Sequence, residues 1–417
     1  MTIVLRLRIN VILNGTRSHV EELLMRNRYP VHSDRESLGT PNRTRTDRDG
    51  LPMGKKHPRA GILLLGAVLA VVAAVPAVFA AGSQEATVES SAQAETIVLT
   101  DNIGRRVELP HPVSRAVAAN RYNSELIRAS GAIDYMIGAD LNTIQDREYW
   151  KHYDPDSVIG KSQRELNYEK IIELDPQVVI LPHNGAVQEA EEKLAPFGIK
   201  VFVISGYDTG DFENQVTNIG KMFAAEEEAQ HFLDTFTEPL DYIREQLDGV
   251  PRKTVYFETT RELGTTFPGG YYFTMIEYAG GQNIFADPPA NLTESAIDPE
   301  AVITMNPEYI VKNITPDTAR TGTGVYAPPS LEQREEEIRK IKSRPGWDEI
   351  DAVKNDNVYV MSQFGHGGAS KIIGALYVAK WMYPERLPDL DPDDYFRAWL
   401  EDFQGFNDLD GHFYPEP

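Results

Sequence analysis

The chain contains no cysteine among its 417 residues. This excludes disulfides, thiolate metal sites, a cysteine nucleophile and a lipid-modified cysteine within the sequence. Catalytic motifs are missing as well: there is no G-x-S-x-G, no G-x-x-x-x-G-K-[ST], no H-E-x-x-H, and no G-x-G-x-x-G after the first strand. Gly322-Thr-Gly324 does not continue as a phosphate-binding loop. We therefore expect a protein that is not an enzyme and has no cofactor.

Positive charge is scarce in most of the chain. Residues 1–80 carry 12 Lys and Arg against 6 Asp and Glu, whereas residues 81–417 carry 29 against 57, a net charge of −28. Proteins that bind nucleic acid rely on basic surfaces, so this acidic body argues against a nucleic-acid partner.

A secretory signal peptide is predicted over residues 53–80. It has a basic start from Met53 to Arg59, an apolar stretch over 61–80, and a small-residue cleavage site that ends at Ala80. The alternative is an uncleaved membrane anchor, because about 20 apolar residues can span a bilayer. We expect a periplasmic or extracytoplasmic protein that has no lipid anchor.

The segments on either side of the signal peptide lack core-forming patterns. Residues 1–52 are rich in Arg and have no helix or strand periodicity. We interpret them as a wrongly extended translation start, with a disordered tail as the alternative. Residues 81–95 are small and polar and fit a flexible tether.

One sequence pattern occurs twice in the body of the chain. Residues 167–180 (NYEKIIELDPQVVI) align without a gap with residues 298–311 (DPEAVITMNPEYIV), 131 positions later. Each copy predicts a helix N-cap, a short helix, a Pro that stops it, and a buried β-strand. A spacing of this length is typical of two similar lobes, and clefts between lobes hold ligands.

The fold class predicted from the strand and helix patterns is α/β with parallel sheets. Between the two copies of the repeat, residues 226–247 have apolar side chains at helical spacing, with Pro239 among them. We predict a first lobe over 96–222, a connecting helix within 223–250, a second lobe over 251–388, and a C-terminal segment, 389–417, that packs on the lobes.

Three stretches together resemble the periplasmic binding proteins for iron–siderophore complexes and vitamin B12. They are the opening hairpin TDNIGRRVELP (100–110), both copies of the repeat, and RPGWDEIDAVKNDNVY (344–359). The resemblance implies two Rossmann-like lobes bridged by one long helix, with only small closing motion. It also implies a monomer that delivers its ligand to an ABC permease and ATPase complex of the inner membrane.

The ligand that the resemblance implies is a ferric siderophore or a related metal chelate. Residues 375–385 (ALYVAKWMYPE) resemble a branch of the family that includes a molybdate/tungstate binder, so an oxyanion remains an alternative, as does cobalamin. A different class of function, an envelope ligand-sensing domain with the same fold, is also left open.

Candidate ligand contacts are the polar residues predicted to follow the strands, because ligands of parallel α/β lobes meet the carboxyl ends of strands. Arg and Lys complement negative charge, and Tyr adds contact area with a hydrogen-bonding tip. His183 and His366 could also ligate a metal, although a single His is more often a hydrogen-bonding residue. The predicted ligand contacts are Arg121, Tyr122, His183, Asn184, Tyr207, Tyr271, Tyr272, Lys312 and His366.

Two acidic residues are expected to dock on the permease. The family places one acidic residue on each lobe, and the resemblance assigns these roles to Glu189 and Glu300. The ordinary alternative is that acidic residues in a first helical turn only complement the helix dipole.

Overall fold

The computed structural model describes residues 95–270, 272–289, 292–294, 297–316, 326–365, 368–406 and 410–416. The predicted extension 1–52, the signal peptide 53–80 and the tether except Glu95 lie outside these residues. Within the described part of the chain, no helix is both long enough and apolar enough to cross a membrane.

The first described element is a hairpin. Strands β1 (Thr96–Thr100) and β2 (Arg106–Pro110) pair antiparallel, with Thr96 opposite Pro110. The Asp101 carboxylate closes the turn, because it accepts hydrogen bonds from the backbone N–H of Ile103 and Arg105. Leu99 and Leu109 are buried against the first lobe.

The first lobe is built on a four-stranded parallel sheet of order β4-β3-β7-β8. Its strands are β3 (Ala116–Ala118), β4 (Met136–Ala139), β7 (Val178–Leu181) and β8 (Lys200–Val203), and a small hairpin, β5 (Gly160–Ser162) with β6 (Glu165–Leu166), precedes β7. Its helices are α1 (Arg121–Ala129), α2 (Leu141–Ile144), α3 (Tyr168–Leu174), α4 (Val187–Leu194) and α5 (Phe212–Phe223).

A helix of 21 residues, α6 (Glu226–Gln246), then leads to the second lobe. Three Glu residues occupy its first turn, where they complement the positive end of the helix dipole. Phe232 and Phe236 are fully buried on its inner face, and Pro239 lies within the helix.

The second lobe is built on a five-stranded sheet of order β10-β9-β11-β12-β13. The strands β9 (Thr254–Glu258), β10 (Gln282–Asn283), β11 (Tyr309–Ile314) and β12 (Val358–Ser362) are parallel, whereas β13 (Phe413–Tyr414) pairs antiparallel with β12. Its helices are α7 (Phe273–Tyr278), α8 (Pro299–Met305), α9 (Leu331–Lys342), α10 (Asp351–Lys354) and α11 (Gly368–Met382). The predicted α/β class with parallel sheets is confirmed.

The sequence repeat is a structural repeat. Asn167 and Asp298 cap α3 and α8, with side chains that accept from the N–H of Lys170 and Glu300. Both helices end on a left-handed residue, Asp175 with φ 49° and Asn306 with φ 45°. Pro follows in each copy and then β7 or β11, so one local design is built twice.

Two predicted boundaries are wrong, and both move candidate ligand contacts. The sequence predicts a helix from Glu125 capped by Asn123 or Ser124, but α1 begins at Arg121 and its N-cap is Asn120. Asn123 does not cap the helix because its side chain is buried, where its Oδ1 accepts from the N–H of Gly206 at 2.8 Å. Strand β11 runs to Ile314, so Lys312 lies in the strand and not in the loop after it.

The C-terminal segment packs on both lobes. It forms α12 (Pro392–Ala398), a π-helix (Trp399–Phe403) and β13. The Phe403 ring lies 5.1 Å from Phe232 and 5.6 Å from Phe236 of α6. Gln404 accepts a hydrogen bond from Tyr149 of the first lobe.

Candidate ligand-binding cleft

Loops at the carboxyl ends of strands from both sheets meet between the lobes. Lys371 of α11 donates a hydrogen bond from Nζ to the backbone oxygen of Tyr207, which follows β8, over 2.9 Å. At Gly368 an added Cβ would lie 2.8 Å from the backbone oxygen of Gly206, so only glycine allows this approach. Gly206 is equally confined, with Tyr122 O at 2.6 Å from the position of a Cβ.

Arg121 lies at this junction, in the first turn of α1, and is half-buried. Its Nη2 donates to the Tyr122 hydroxyl at 2.9 Å, and its guanidinium carbon lies 4.9 Å from the centre of the Tyr122 ring. Burial lowers the pKa of Arg121, but Tyr122, Tyr326 and Glu125 together raise it above its usual range. Among the described residues no carboxylate forms a salt bridge with Arg121, so a permanent positive charge is available to an anion.

Glu125 is a buried carboxylate one helical turn after Arg121, and 5% of it is exposed. The hydroxyl of Tyr326, a residue of the second lobe, lies beside its carboxylate. Burial raises the pKa of Glu125 to about 7, although this hydroxyl and the charges of Arg121 and Arg128 act in the opposite direction.

Tyr326 is held by aromatic residues of the first lobe. Its ring stacks on that of Tyr149, and Trp150 donates from Nε1 to its hydroxyl over 3.2 Å. Tyr326 of the second lobe therefore packs into the first lobe, beside Glu125. The sequence reasoning missed this contact, because Tyr326 follows a Gly-rich stretch whose pattern predicts only a loop.

Three predicted contacts, His183, Asn184 and Tyr207, come together at the ends of β7 and β8. His183 is exposed, and its Nδ1 lies 2.9 Å from Ser205 Oγ and 3.2 Å from the Tyr207 hydroxyl. Asn184 is half-buried beside it. Within the described ranges no group of three His, Asp or Glu side chains could hold a metal ion.

In the second lobe, Tyr272 borders a cavity of about 410 Å³ at the carboxyl end of β9. Its hydroxyl accepts from Asn313 Nδ2 at 3.1 Å, and its ring stacks on Phe257. The cavity is lined by Thr259, Thr265, Thr266, Gly269, Gly270, Tyr272 and Glu294. The predicted contacts Tyr271 and His366 lie outside the described residues.

Lys312 occupies a different environment from the one expected. It is buried in β11, and its ammonium donates to Glu258 Oε1 at 2.9 Å, to Thr259 O at 2.7 Å and to Arg261 O at 3.3 Å. Arg344 forms two further hydrogen bonds with the same carboxylate. The three donors of Lys312 already have acceptors, which favours a structural role within the second lobe over a contact with ligand.

The structural repeat bears on the docking residues. Glu300 lies exposed in the first turn of α8, and its counterpart 131 positions earlier is Glu169, exposed in the first turn of α3. Glu189 lies in α4, which is outside the repeat, and forms a salt bridge of 2.6 Å with Lys193. Glu169 is therefore the position equivalent to Glu300 in the first lobe, whereas Glu189 lies on a different helix.

A model of the family described as periplasmic binding protein matches residues 117–363, more than half of the chain. The chain belongs to this family. It is a periplasmic solute-binding protein of the kind that serves ABC transporters.

Three curated relatives each match more than half of the chain. An uncharacterized ABC transporter substrate-binding lipoprotein, YvrC of Bacillus subtilis, is 24% identical over 341 residues, 78% of this chain and 98% of the relative. The molybdate-binding protein MolA of Haemophilus influenzae is 21% identical over 341 residues, 73% of this chain and 90% of MolA. A vitamin B12-binding protein of Vibrio parahaemolyticus is 22% identical and shares 57% of this chain and 81% of its own length.

Solved structures share the fold. The TroA-like periplasmic binding protein FepB from Veillonella parvula superposes with a TM-score of 0.61 at 21% identity, over 77% of this chain and all of that one. MolA of Haemophilus influenzae bound to molybdate gives 0.58 at 19% identity, over 75% of this chain and 99% of MolA.

Proposed function

We propose that this protein captures an anionic metal chelate, such as a ferric siderophore, between its lobes and delivers it to an ABC permease. The observation that carries the proposal is Arg121, a half-buried guanidinium that has no salt-bridge partner among the described residues. A charge taken partly out of water without a salt-bridge partner is costly, and an anionic ligand would offset that cost.

Tyrosines and polar groups around Arg121 support the same ligand class. Tyr122 and Tyr272 supply aromatic area with hydroxyl tips, and His183, Asn184 and Tyr207 supply polar groups on the first lobe. Such a mixture of apolar area and a few polar groups is typical of small-molecule sites. His183 is proposed as a hydrogen-bonding contact, since its Nδ1 already faces Ser205.

A second candidate ligand is a tetrahedral oxyanion. It is favoured by the similarity to MolA, a molybdate-binding protein that this chain matches over 90% of MolA's length. One guanidinium with several neutral donors suits a small oxyanion as well as it suits a chelate, because both bind through charge-assisted hydrogen bonds.

Isothermal titration calorimetry separates these ligands. Purified protein is titrated with a ferric tricatecholate chelate, molybdate, tungstate, cyanocobalamin and haem. We expect one of the anionic probes to bind, and Arg121→Ala to weaken its affinity by about tenfold or more. Arg115→Ala is the matched control, because Arg115 lies exposed before the amino end of β3, away from the junction. Binding of cyanocobalamin alone, or equal affinity in both variants, would count against an anionic ligand.

The proposal includes docking of the two lobes on the permease through Glu169 and Glu300. Both are exposed, and neither forms a salt bridge within the described part of the chain. One carboxylate on each lobe would fix the orientation of the complex and speed the encounter. Export through the signal peptide over 53–80 completes the proposal.

A further inference from the structure

Glu125 and Arg121 occupy neighbouring positions on α1 but do not pair. Side chains four residues apart on a helix have Cβ atoms about 5–6 Å apart, so the carboxylate of Glu125 is within reach of the guanidinium. An ion pair between them would neutralise the positive charge that faces the cleft. In the structure no salt bridge joins these two residues, and the hydroxyl of Tyr326 lies beside the Glu125 carboxylate.

The hydroxyl of Tyr326 is well placed to keep the carboxylate where it is. The ring centres of Tyr326 and Tyr149 are 3.7 Å apart with an angle of 9° between their planes. The indole N–H of Trp150 donates to the Tyr326 hydroxyl, which leaves that hydroxyl's own proton for Glu125. The backbone oxygen of Glu125 is also fixed, because it accepts from Gln404 Nε2 at 3.1 Å.

Arg128, the other cation near Glu125, is already engaged. Its Nη1 donates to the backbone oxygen of Gln404 at 2.9 Å and its Nη2 to that of Tyr149 at 3.0 Å. Its guanidinium also stacks over Trp150 at 3.8 Å. Arg128 is therefore held against Tyr149 and Trp150, and Tyr326 and Arg121 are the two groups that compete for the Glu125 carboxylate.

We propose that Glu125 and Tyr326 are positioning residues for anion binding: the Tyr326 hydroxyl holds the Glu125 carboxylate away from Arg121, so that the guanidinium is left for the ligand. The inference rests on the proposed function of Arg121 as an anion contact. It makes the affinity of the first lobe for an anion depend on a residue of the second lobe. The contact between the lobes and the availability of Arg121 for an anion then both depend on the Tyr326 hydroxyl.

The charges around Glu125 allow this mechanism. Groups that act on its carboxylate are Arg121, Arg128, Tyr149 and Tyr326. Charged residues on other elements packed against α1 have different partners or face solvent. Lys371 donates to the backbone oxygen of Tyr207, and Asp140 accepts from the Thr143 hydroxyl. Glu228 lies beside Gly131, and Glu401 and Asp402 are exposed.

A binding experiment tests the competition directly. Wild type, Tyr326→Phe, Glu125→Gln and the double variant are titrated with molybdate and with ferric tricatecholate between about pH 6 and pH 8.5. Phenylalanine keeps the stack on Tyr149 and removes only the hydroxyl. At the upper pH we expect Tyr326→Phe to bind about tenfold more weakly than wild type, because Glu125 turns to Arg121. The double variant should recover wild-type affinity, because glutamine cannot neutralise the guanidinium.

The pH profile separates this effect from general disruption of the site. In Tyr326→Phe the deficit should persist to lower pH than the wild-type titration of Glu125, because pairing with Arg121 lowers the pKa of the carboxylate, and it should shrink only where Glu125 becomes protonated in the variant. Tyr153→Phe is the matched control: it removes a buried hydroxyl that bonds to Ser124 on the same helix and does not contact Glu125. It should bind as wild type does. Wild-type affinity in Tyr326→Phe at the upper pH, or no recovery in the double variant, overturns the inference.

A measurement without ligand decides the inference independently of the probes. The free energy of unfolding of wild type and Tyr326→Phe is compared across the same pH range. If Glu125 pairs with Arg121 in the variant, its pKa falls and the decline of stability with rising pH becomes shallower than in wild type. A steeper decline overturns the inference. If neither anion binds wild type, the proposed function fails, and this second measurement still supports or overturns the competition between Tyr326 and Arg121.

Discussion

The ring of Tyr149 stacks face to face on the ring of Tyr326, and this contact joins the first lobe to the second. Both side chains are buried, and the Tyr149 hydroxyl donates to Gln404 of the C-terminal segment. Three distant parts of the chain therefore meet at one aromatic ring.

Removing that ring should destabilise the protein. We expect Tyr149→Ala to lower the free energy of unfolding by about 3–5 kcal/mol, because a large buried side chain leaves a cavity. Tyr149→Phe keeps the stack and loses only the bond to Gln404, so it should cost about 1 kcal/mol. Urea denaturation followed by circular dichroism measures both. Equal losses in the two variants would show that the stack contributes nothing beyond the hydroxyl.

The buried carboxylate of Glu125 should make stability depend on pH. Its pKa is raised from 4.5 to about 7 in the folded chain. An acid whose pKa is raised on folding stabilises the folded state while it is protonated. The contribution of Glu125 to the free energy of unfolding is therefore complete below about pH 4.5 and is lost as pH rises through about 7. The loss is about 3 kcal/mol. Glu125→Gln should remove it, so that the difference in stability between variant and wild type grows in the variant's favour from about pH 5 to pH 8. A difference independent of pH would contradict this.

Lys312 should matter for stability and not for affinity. Removing one partner of a buried ion pair typically costs about 3–5 kcal/mol, because the other charge remains buried and uncompensated. Lys312→Ala leaves the Glu258 carboxylate with hydrogen bonds from Arg344 and the Tyr256 hydroxyl but without the ammonium, so we expect a loss of about 3 kcal/mol in urea denaturation. Calorimetry on the folded variant should give wild-type affinity for the anionic probe. A selective loss of affinity in a variant as stable as wild type would restore Lys312 as a ligand contact.

Charge reversal should separate docking from ligand binding. In cells that depend on this protein for uptake, Glu169→Lys with Glu300→Lys should abolish transport while the purified variant keeps its affinity for the transported ligand. Glu189→Lys with Glu300→Lys is the matched control and should retain more transport, since Glu189 lies outside the repeated unit. The opposite ranking of the two double variants would return the docking role to Glu189.

Processing of the chain is tested by its N-terminus. We expect the exported protein to begin at or near Ala81, because the segment ending at Ala80 has the pattern of a signal peptide. Edman sequencing or intact mass of periplasmic protein gives the answer. Exported protein that retains residues before Gly61 would show that the segment is not cleaved.

The elements that the sequence predicts best are those whose pattern is local. Residues 254–258 (TVYFE) predict a strand by themselves, because an apolar run with β-branched residues needs no distant information, and β9 has the same bounds. Both copies of the repeat are recognisable from a capping residue and a Pro. The sequence places the start of α1 four residues too late, because Asn123 has the chemistry of a cap while a tertiary contact with Gly206 occupies its side chain.

The site was harder to predict than the fold, because its chemistry depends on partners far apart in the sequence. Lys312 has the positive charge expected of an anion contact, and only the fold shows that Glu258 already forms a salt bridge with it. The contact between Glu125 and Tyr326 joins positions about 200 residues apart, and neither has a local motif. Arg121, His183 and Tyr207 are predicted as ligand contacts because they follow buried strands, and topology alone places such residues at one edge of a sheet.

The short strand β13 has a consequence for association between molecules. It pairs Phe413 with Met361 and Tyr414 with Val360, and so occupies the outer edge of β12. An open strand edge presents backbone donors and acceptors to any other extended chain, and that is how sheets add strands from neighbours. Because β13 is the outermost strand and only two residues long, the sheet of the second lobe ends in a very short edge, which offers little backbone to another chain.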